Sequence, residues 1–450
     1  VEVSTHSHSH LPQRPTPPFF TDTAPLPLVG EGFSPFDATT MPPHTFLSFF
    51  LALSLLHPPP RAVALTAPSD VAALAAFKAA VLPSSVSPWS CLRTWNFSAA
   101  DPCASPRRAF FVCGLTCDDD DDAGGVSRVT AVVLDNGGYE GSLSPAVGKL
   151  SRLVHLDLSG NAFRGPLPPS LGSLPSLRTL SLAYNAFSGQ VPLALSNLRA
   201  LELLDLSHNA LAGPVPAVLS GLVALTRLDL SYNRLSGGLP PSLPPNLISL
   251  ALRGNAIAGP IPRSTFASLR RLEVVELAAN QLTGRVEGWF LRMPALQQVD
   301  LANNTLVGLS LSVAAGSSPT SGSPLVALDL GYNRIEGELP AELAGFPALT
   351  SLTLRHNRLR GAIPLQYSAG KAGNPFRRLF LDGNFLNGKV PGAFLGGADV
   401  TGSFGDNCLE GCPAAEQLCR PLQKPAEVCR DAYGLVARGT RRGRPAHPVR

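Results

Sequence analysis

The sequence predicts an α/β solenoid, a stack of coils that each give one strand to a parallel sheet. Three observations carry that expectation. The segment LDLSYNRLSGGLP from Leu228 recurs as LDLSGNAFRGPLP from Leu156, LSLAYNAFSGQVP from Leu180 and LDLSHNALAGPVP from Leu204, and self-similarity at a fixed short period marks a stacked array. Aligned on one asparagine, the copies place Asn161, Asn185, Asn209, Asn233, Asn255, Asn280, Asn304, Asn333, Asn357 and Asn384 at spacings of 22 to 29 residues. Finally, 44 prolines and 41 glycines in 450 residues, with 44% hydrophobic content, specify many turns around a core.

Within each copy the alternating pair, such as Leu156 and Leu158, puts two apolar side chains on one face of a short strand. His155, Asp157 and Ser159 fall on the other face. Stacked strands then form one parallel sheet. Where the chain turns inward after the strand, its amide and carbonyl groups leave water, and the asparagine offers both donors and an acceptor to satisfy them. An imperfect first copy from Val129 has Gly137 in the asparagine slot, and a last one ends at Asn407. Eleven copies span residues 129–401. One copy cannot bury both of its flanks alone, so stability comes from stacking.

The two ends are where a stack is open. There lie all eight cysteines: Cys91, Cys103, Cys113 and Cys117 before the array, Cys408, Cys412, Cys419 and Cys429 after it. Two disulfides at each end are expected, with three connectivities open per set, in an oxidising compartment. The spacings repeat no zinc-ligand pair, so no metal or other cofactor is expected. From Met41 the chain reads as a secretory signal peptide over residues 41–64, with an apolar run at 46–56 and a small-x-small site at Ala62-Val63-Ala64. Residues 1–40 read as a disordered or non-native leader, 65–128 as an N-terminal cap, 402–430 as a C-terminal cap and 431–450 as a basic disordered tail. A formal charge of +4 with no basic stripe excludes a nucleic-acid groove.

Gly-x-(Leu/Val/Ile)-Pro follows the asparagine at Gly165, Gly189, Gly213, Gly237, Gly259, Gly337, Gly361 and Gly388. Together with DVAALAAFKAAV from Asp70, RTWNFSAADPC from Arg93, VCGLTCD from Val112 and GSFGDNCLEGC from Gly402, this resembles the plant-specific class of leucine-rich repeat. The resemblance covers residues 70 to about 430. It implies a right-handed superhelix with a concave parallel sheet, disulfide-capped at both ends, of the kind found in plant receptor-like proteins and receptor-kinase ectodomains. Past Gly402 the sequence holds neither an apolar run of 18 residues nor a kinase phosphate loop. A secreted protein acting through a partner, or an incomplete receptor, is expected.

Candidate ligand-binding residues follow from the outward strand positions. Between the paired leucines stand Asp157, Ser181, Asp205, Asp229, Ala251, Glu276, Asp300, Asp329, Thr353 and Phe380. That acidic stripe either keeps an exposed sheet soluble or attracts a basic peptide. Before the asparagine stand Tyr184, His208 and Tyr232 in consecutive copies, then Tyr332 and His356, amphipathic rings suited to a binding hot spot. Arg253 and Arg355 add isolated positive points, too distant to form one carboxylate clamp. Insertions at 313–324 and 366–376 read as flexible bulges, and the aspartates at 118–122 as a solvated linker. Sequons at Asn96 and Asn303 are candidate glycosylation sites. No catalytic constellation is present, so no enzyme is expected. The functional expectation is an extracellular module, in the cell wall or at the outer face of the plasma membrane. It would bind a peptide or protein on its concave face and signal with a membrane receptor kinase. The alternatives are a secreted inhibitor similar to the polygalacturonase-inhibiting proteins, or a structural wall protein, with the basic tail on acidic wall polysaccharide.

Overall fold

A leucine that returns in register from coil to coil can only be buried by its own copies, and this is what a computed structural model of the chain displays. The structure describes residues 65–98, 101–103, 112–118, 126–311, 323–369, 376–395 and 400–434, all within one unit spanning residues 62–450. The leader, the signal segment, most of the 313–324 insertion, Asp119 to Asp122 and the tail from 435 lie outside the described residues.

Thirteen strands form the main sheet, from Leu115–Cys117 to Thr401–Ser403, and all are parallel except the first. Leucine stands on leucine through the register, Leu156 on Leu180, Leu204, Leu228 and Leu250 in turn. All five are essentially inaccessible to water. The sheet passes through the point taken as the end of the array, since Thr401–Ser403 pairs with Arg378–Phe380.

One sheet was expected; the first half of the array has two. Seven further strands, from Glu140–Gly141 through Ala162–Pro166 and Ala186–Gly189 to Gln281–Leu282, pair in parallel behind the asparagines. The Gly of the Gly-x-x-Pro signature sits in them with φ between +79° and +89° at Gly165, Gly189, Gly213, Gly237 and Gly259. An L-residue with a side chain strains to reach that region, so glycine is required there. Short 3-10 turns such as Pro169–Ser173 and Leu193–Asn197 close the back of each coil. They stack so closely that a Cβ on Gly172 would lie 2.2 Å from the Ala194 carbonyl oxygen.

The N-terminal end is closed by the helix Pro68–Ala79, which begins with a proline whose missing N–H has no helical partner to lose. Its buried face is Ala73, Leu74 and Phe77; Phe77 packs between Trp95 and Phe163. Asp70, fully buried, accepts two hydrogen bonds from the Arg128 guanidinium at 2.9 and 3.0 Å and one from the Val129 N–H at 3.0 Å. Disulfides Cys91–Cys113 and Cys103–Cys117 staple this cap, and Cys408–Cys429 and Cys412–Cys419 the other, leaving no free cysteine. The 366–376 insertion corrects the expectation of a loose bulge at its described ends. Tyr367 is fully buried, donates from Oη to the Pro340 carbonyl at 2.9 Å and meets the Phe376 ring edge-on. Burial raises the Tyr367 phenol far above its ordinary pKa.

Candidate recognition surface

The asparagine fixes the outer surface before any ligand is considered. Asn233 is typical. Its Oδ1 accepts the Leu211 N–H of the preceding coil at 2.9 Å, and its Nδ2 donates to Leu206, Leu230 and Ser231 carbonyls at 2.9 to 3.2 Å. The same arrangement recurs at Asn161, Asn185, Asn209, Asn255, Asn280, Asn304, Asn333, Asn357 and Asn384. Asn407 extends the ladder into the C-terminal cap.

The bend forces the residue before the asparagine into the left-handed region: φ is +53° at Tyr184, +52° at His208, +53° at Tyr232, +55° at Tyr332 and +50° at His356. Glycine holds the equivalent place at Gly160, Gly254 and Gly383. The aromatic residues accept strain of about 1–2 kcal/mol each that glycine avoids. Their rings stack along the array. Tyr184 and His208 lie 4.0 Å apart between centroids, His208 and Tyr232 4.3 Å, and Tyr332 and His356 4.5 Å. Tyr184, Tyr232 and Tyr332 remain exposed.

The acidic stripe divides into two chemical regions. Asp157, Asp205 and Asp229 are half-buried and lie in no ion pair among the described residues. Farther along, Asp300 is 3.6 Å from Arg253, and Arg355 is bound to Asp382 at 3.1 Å while lying over the Phe380 ring. Burial first, and then neighbouring carboxylates, raises the pKa of Glu276. Burial is likewise the leading cause at Asp229 and Asp329, partly offset by the N–H groups of Ser231 and Gly331.

Arg253 and Arg355 line a single depression of about 490 Å³ with Ala278, Ala279, Ala302, Asn303, Tyr332 and Arg378. They stand four strands apart, about 19 Å at the spacing of a sheet, so they bracket the depression and do not clamp one carboxylate. Ala279 stands before Asn280 where Tyr184, His208 and Tyr232 stand in earlier coils, so no ring fills that coil of the depression. Asn303 is exposed at its wall, and Asn96 is exposed on the N-terminal cap. Sequence reasoning missed Arg378, which lines the depression and makes no ion pair among the described residues. Strand register identifies it; composition does not.

Comparisons with known proteins agree with this geometry. Residues 191–235 and 245–306 match the family described as leucine rich repeat, and residues 152–174 and 176–198 a second description of the same repeat. Receptor-like protein 7 of Arabidopsis thaliana is 43% identical over 70 residues, 16% of this chain and 7% of that protein. Among solved structures, PEPR1-AtPEP1 superposes with a TM-score of 0.65 at 31% identity, covering 76% of this chain and 46% of that one. The plant peptide hormone receptor RGFR1 in complex with RGF2 gives 0.54 at 30% identity, covering 60% and 42%. This chain therefore spans less than half the length of each of these three relatives. The repeat signature, the double sheet, the asparagine ladder and these likenesses give the chain a leucine-rich repeat fold similar to that of plant receptor-like proteins and peptide hormone receptors.

Proposed function

We propose that the chain is an extracellular recognition module that binds a peptide or protein ligand on its concave sheet and works with a membrane receptor kinase. The observation that carries this reading is the two exposed aromatic ladders, held in strained backbone beside unpaired carboxylates and a 490 Å³ depression. Strained backbone persists where the surrounding structure over-determines it, and it clusters at ligand-binding sites. A ligand-bound plant receptor among the structural neighbours supports ligand binding by this fold. Fold alone would not, since one fold serves many functions.

A glycan placed on either face tests the proposal. Thr179→Asn and Ser351→Asn each create a sequon on the concave strands, with Ser181 and Thr353 as the third residues, whereas Arg199→Thr creates one at exposed Asn197 on the back. Proximity labelling on plant cells should recover a membrane kinase with the wild-type protein and with the Arg199→Thr form. The two concave-face forms should lose it. Recovery that ignores the concave glycans, or inhibition of a fungal polygalacturonase by the wild-type protein with no kinase recovered, refutes it.

A further inference from the structure

In the first half of the concave face the acid column runs beside the longer aromatic ladder. There Asp157, Asp205 and Asp229 each use Oδ1 to accept the N–H two residues ahead, from Ser159, Ser207 and Ser231, at 2.8 to 2.9 Å. Among the described residues no hydrogen bond reaches their Oδ2 atoms. Between the carboxylates and the Tyr184-His208-Tyr232 ladder lies a floor of small residues, Ser159, Ala183, Ser207 and Ser231. The trench is thus acidic on one wall and aromatic on the other. Basic residues lie near it. His155 and Arg227, two residues before Asp157 and Asp229 on the same strand faces, are exposed, and Arg227 makes no ion pair among the described residues; His208 sits within the ladder itself.

The ladder also has an open end. A Cβ on Gly254 would lie 2.7 Å from the Tyr232 ring, one on Gly383 2.5 Å from the His356 ring, and one on Gly160 2.6 Å from Asn136 Oδ1. Each side chain in this column therefore leans over the α-carbon of the next coil. Gly160 has none to lean over Tyr184. The place between the Asn136 amide and the Tyr184 ring, two strand spacings or about 9.5 Å, lacks one planar group.

We infer that this place receives an arginine side chain from an extended polypeptide, its guanidinium stacked on the open face of Tyr184. Its N–H donors point toward Asp157 and Asp205, the carboxylates one coil to either side. The choice of arginine rests on chemistry. A guanidinium is flat, stays charged and stacks on aromatic faces, while a lysine ammonium is a hydrated point charge that would pair with the carboxylates but leave the slot unfilled. This rests on the concave-face reading proposed above and names the ligand chemistry it would select.

Acetylated, amidated Gly-Ser dodecapeptides carrying three Arg, three Lys or three Glu residues serve as probes, with fluorescence anisotropy of the whole protein as readout. The Arg peptide should bind about 2- to 5-fold tighter than the Lys peptide, and the Glu peptide should not bind. Tyr184→Ser should equalise Arg and Lys, Tyr184→Phe should keep the preference, and Asp205→Asn with Asp229→Asn should weaken both basic peptides. Tyr332→Ser, in the other ladder, should change nothing. Equal Arg and Lys affinities in the wild type, a preference that survives Tyr184→Ser, or its loss in Tyr332→Ser overturns the inference. If the Arg preference is absent while concave glycans still abolish kinase recovery, the slot is wrong and the concave-face reading stands.

Discussion

Adjacent asparagines of the ladder should be energetically coupled, and those two coils apart should not. The Leu206 carbonyl accepts from Asn209 Nδ2 at 3.2 Å and from Asn233 Nδ2 at 2.9 Å. Asn233→Ala therefore leaves Leu206 served by Asn209, and Leu230 served by Asn255 at 3.0 Å. What it orphans outright is the Leu211 N–H, in a residue with no solvent exposure. An orphaned buried donor costs about 1–3 kcal/mol, and that is the expected loss. Asn209→Ala likewise orphans the Phe187 N–H. The double variant additionally strips Leu206 of both side-chain donors, so the cycle should show an extra loss of about 1–2 kcal/mol. Asn185 and Asn233 share no carbonyl, and their double variant should be additive within about 0.5 kcal/mol. Guanidinium unfolding, with hydrogen exchange at the Leu211 amide as local readout, measures both cycles. Additivity in the adjacent pair, or equal coupling in the separated one, would refute the shared-carbonyl account.

Loop length ranks the staples. Removing Cys91–Cys113, which closes 22 residues, should destabilise the protein by about 3 kcal/mol, and removing Cys412–Cys419, which closes 7, by about 2; thermal unfolding of the two Cys→Ser pairs gives the order. The raised carboxyls set a pH slope. Asp229, Glu276 and Asp329 bind protons in the folded state at pH values where the unfolded chain has released them. Their contribution to stability is thus greatest at acid pH and is lost as pH rises from the ordinary carboxylate range through the raised native values. The triple Asn/Gln/Asn variant should gain on the wild type across that window, and a pH series of melting temperatures that shows no relative gain contradicts the cause assigned. Expression in a glycosylating secretory host should modify exposed Asn96 and Asn303. The Asn303 glycan would cover the 490 Å³ depression, and Asn303→Gln should then open it to ligand, as peptide mapping and binding before and after the substitution will show.

The repeat, the buried leucines and the asparagine ladder were legible because each depends on residue identity at a fixed period. Leu204 and Asn209 do the same work in every coil, so ten copies of the pattern state it ten times. The second sheet was not legible in that way. Gly165 and its equivalents were recognised as a signature, but the pairing of Ala162–Pro166 with Ala186–Gly189 depends on how coils stack. Asp70 stands in the first turn of a helix, where an acid is ordinary; its burial against Arg128 across 58 residues is visible only in three dimensions. The insertion containing Tyr367 misled through its Gly and Ser content, because one buried ring outweighs several small residues in deciding whether a segment is anchored. The Arg253–Asp300 pair likewise spans two coils, a distance the periodicity does not measure.

What the fold demands and what a ligand would demand separate most clearly at the residue before each asparagine. The fold asks there only for a positive φ, which glycine meets without strain, as Gly160, Gly254 and Gly383 do. Stacking returns about 0.5–1.5 kcal/mol per ring pair, comparable to the strain of about 1–2 kcal/mol per residue. Tyr184, His208 and Tyr232 therefore yield little net stability. Replacing all three by glycine should leave the melting temperature within a few degrees of wild type while removing the aromatic wall of the trench. If that triple variant instead unfolds the neighbouring coils, the ladder is part of the framework and its exposure carries no functional meaning. If it folds and still binds the arginine peptide with unchanged preference, the trench reads charge alone.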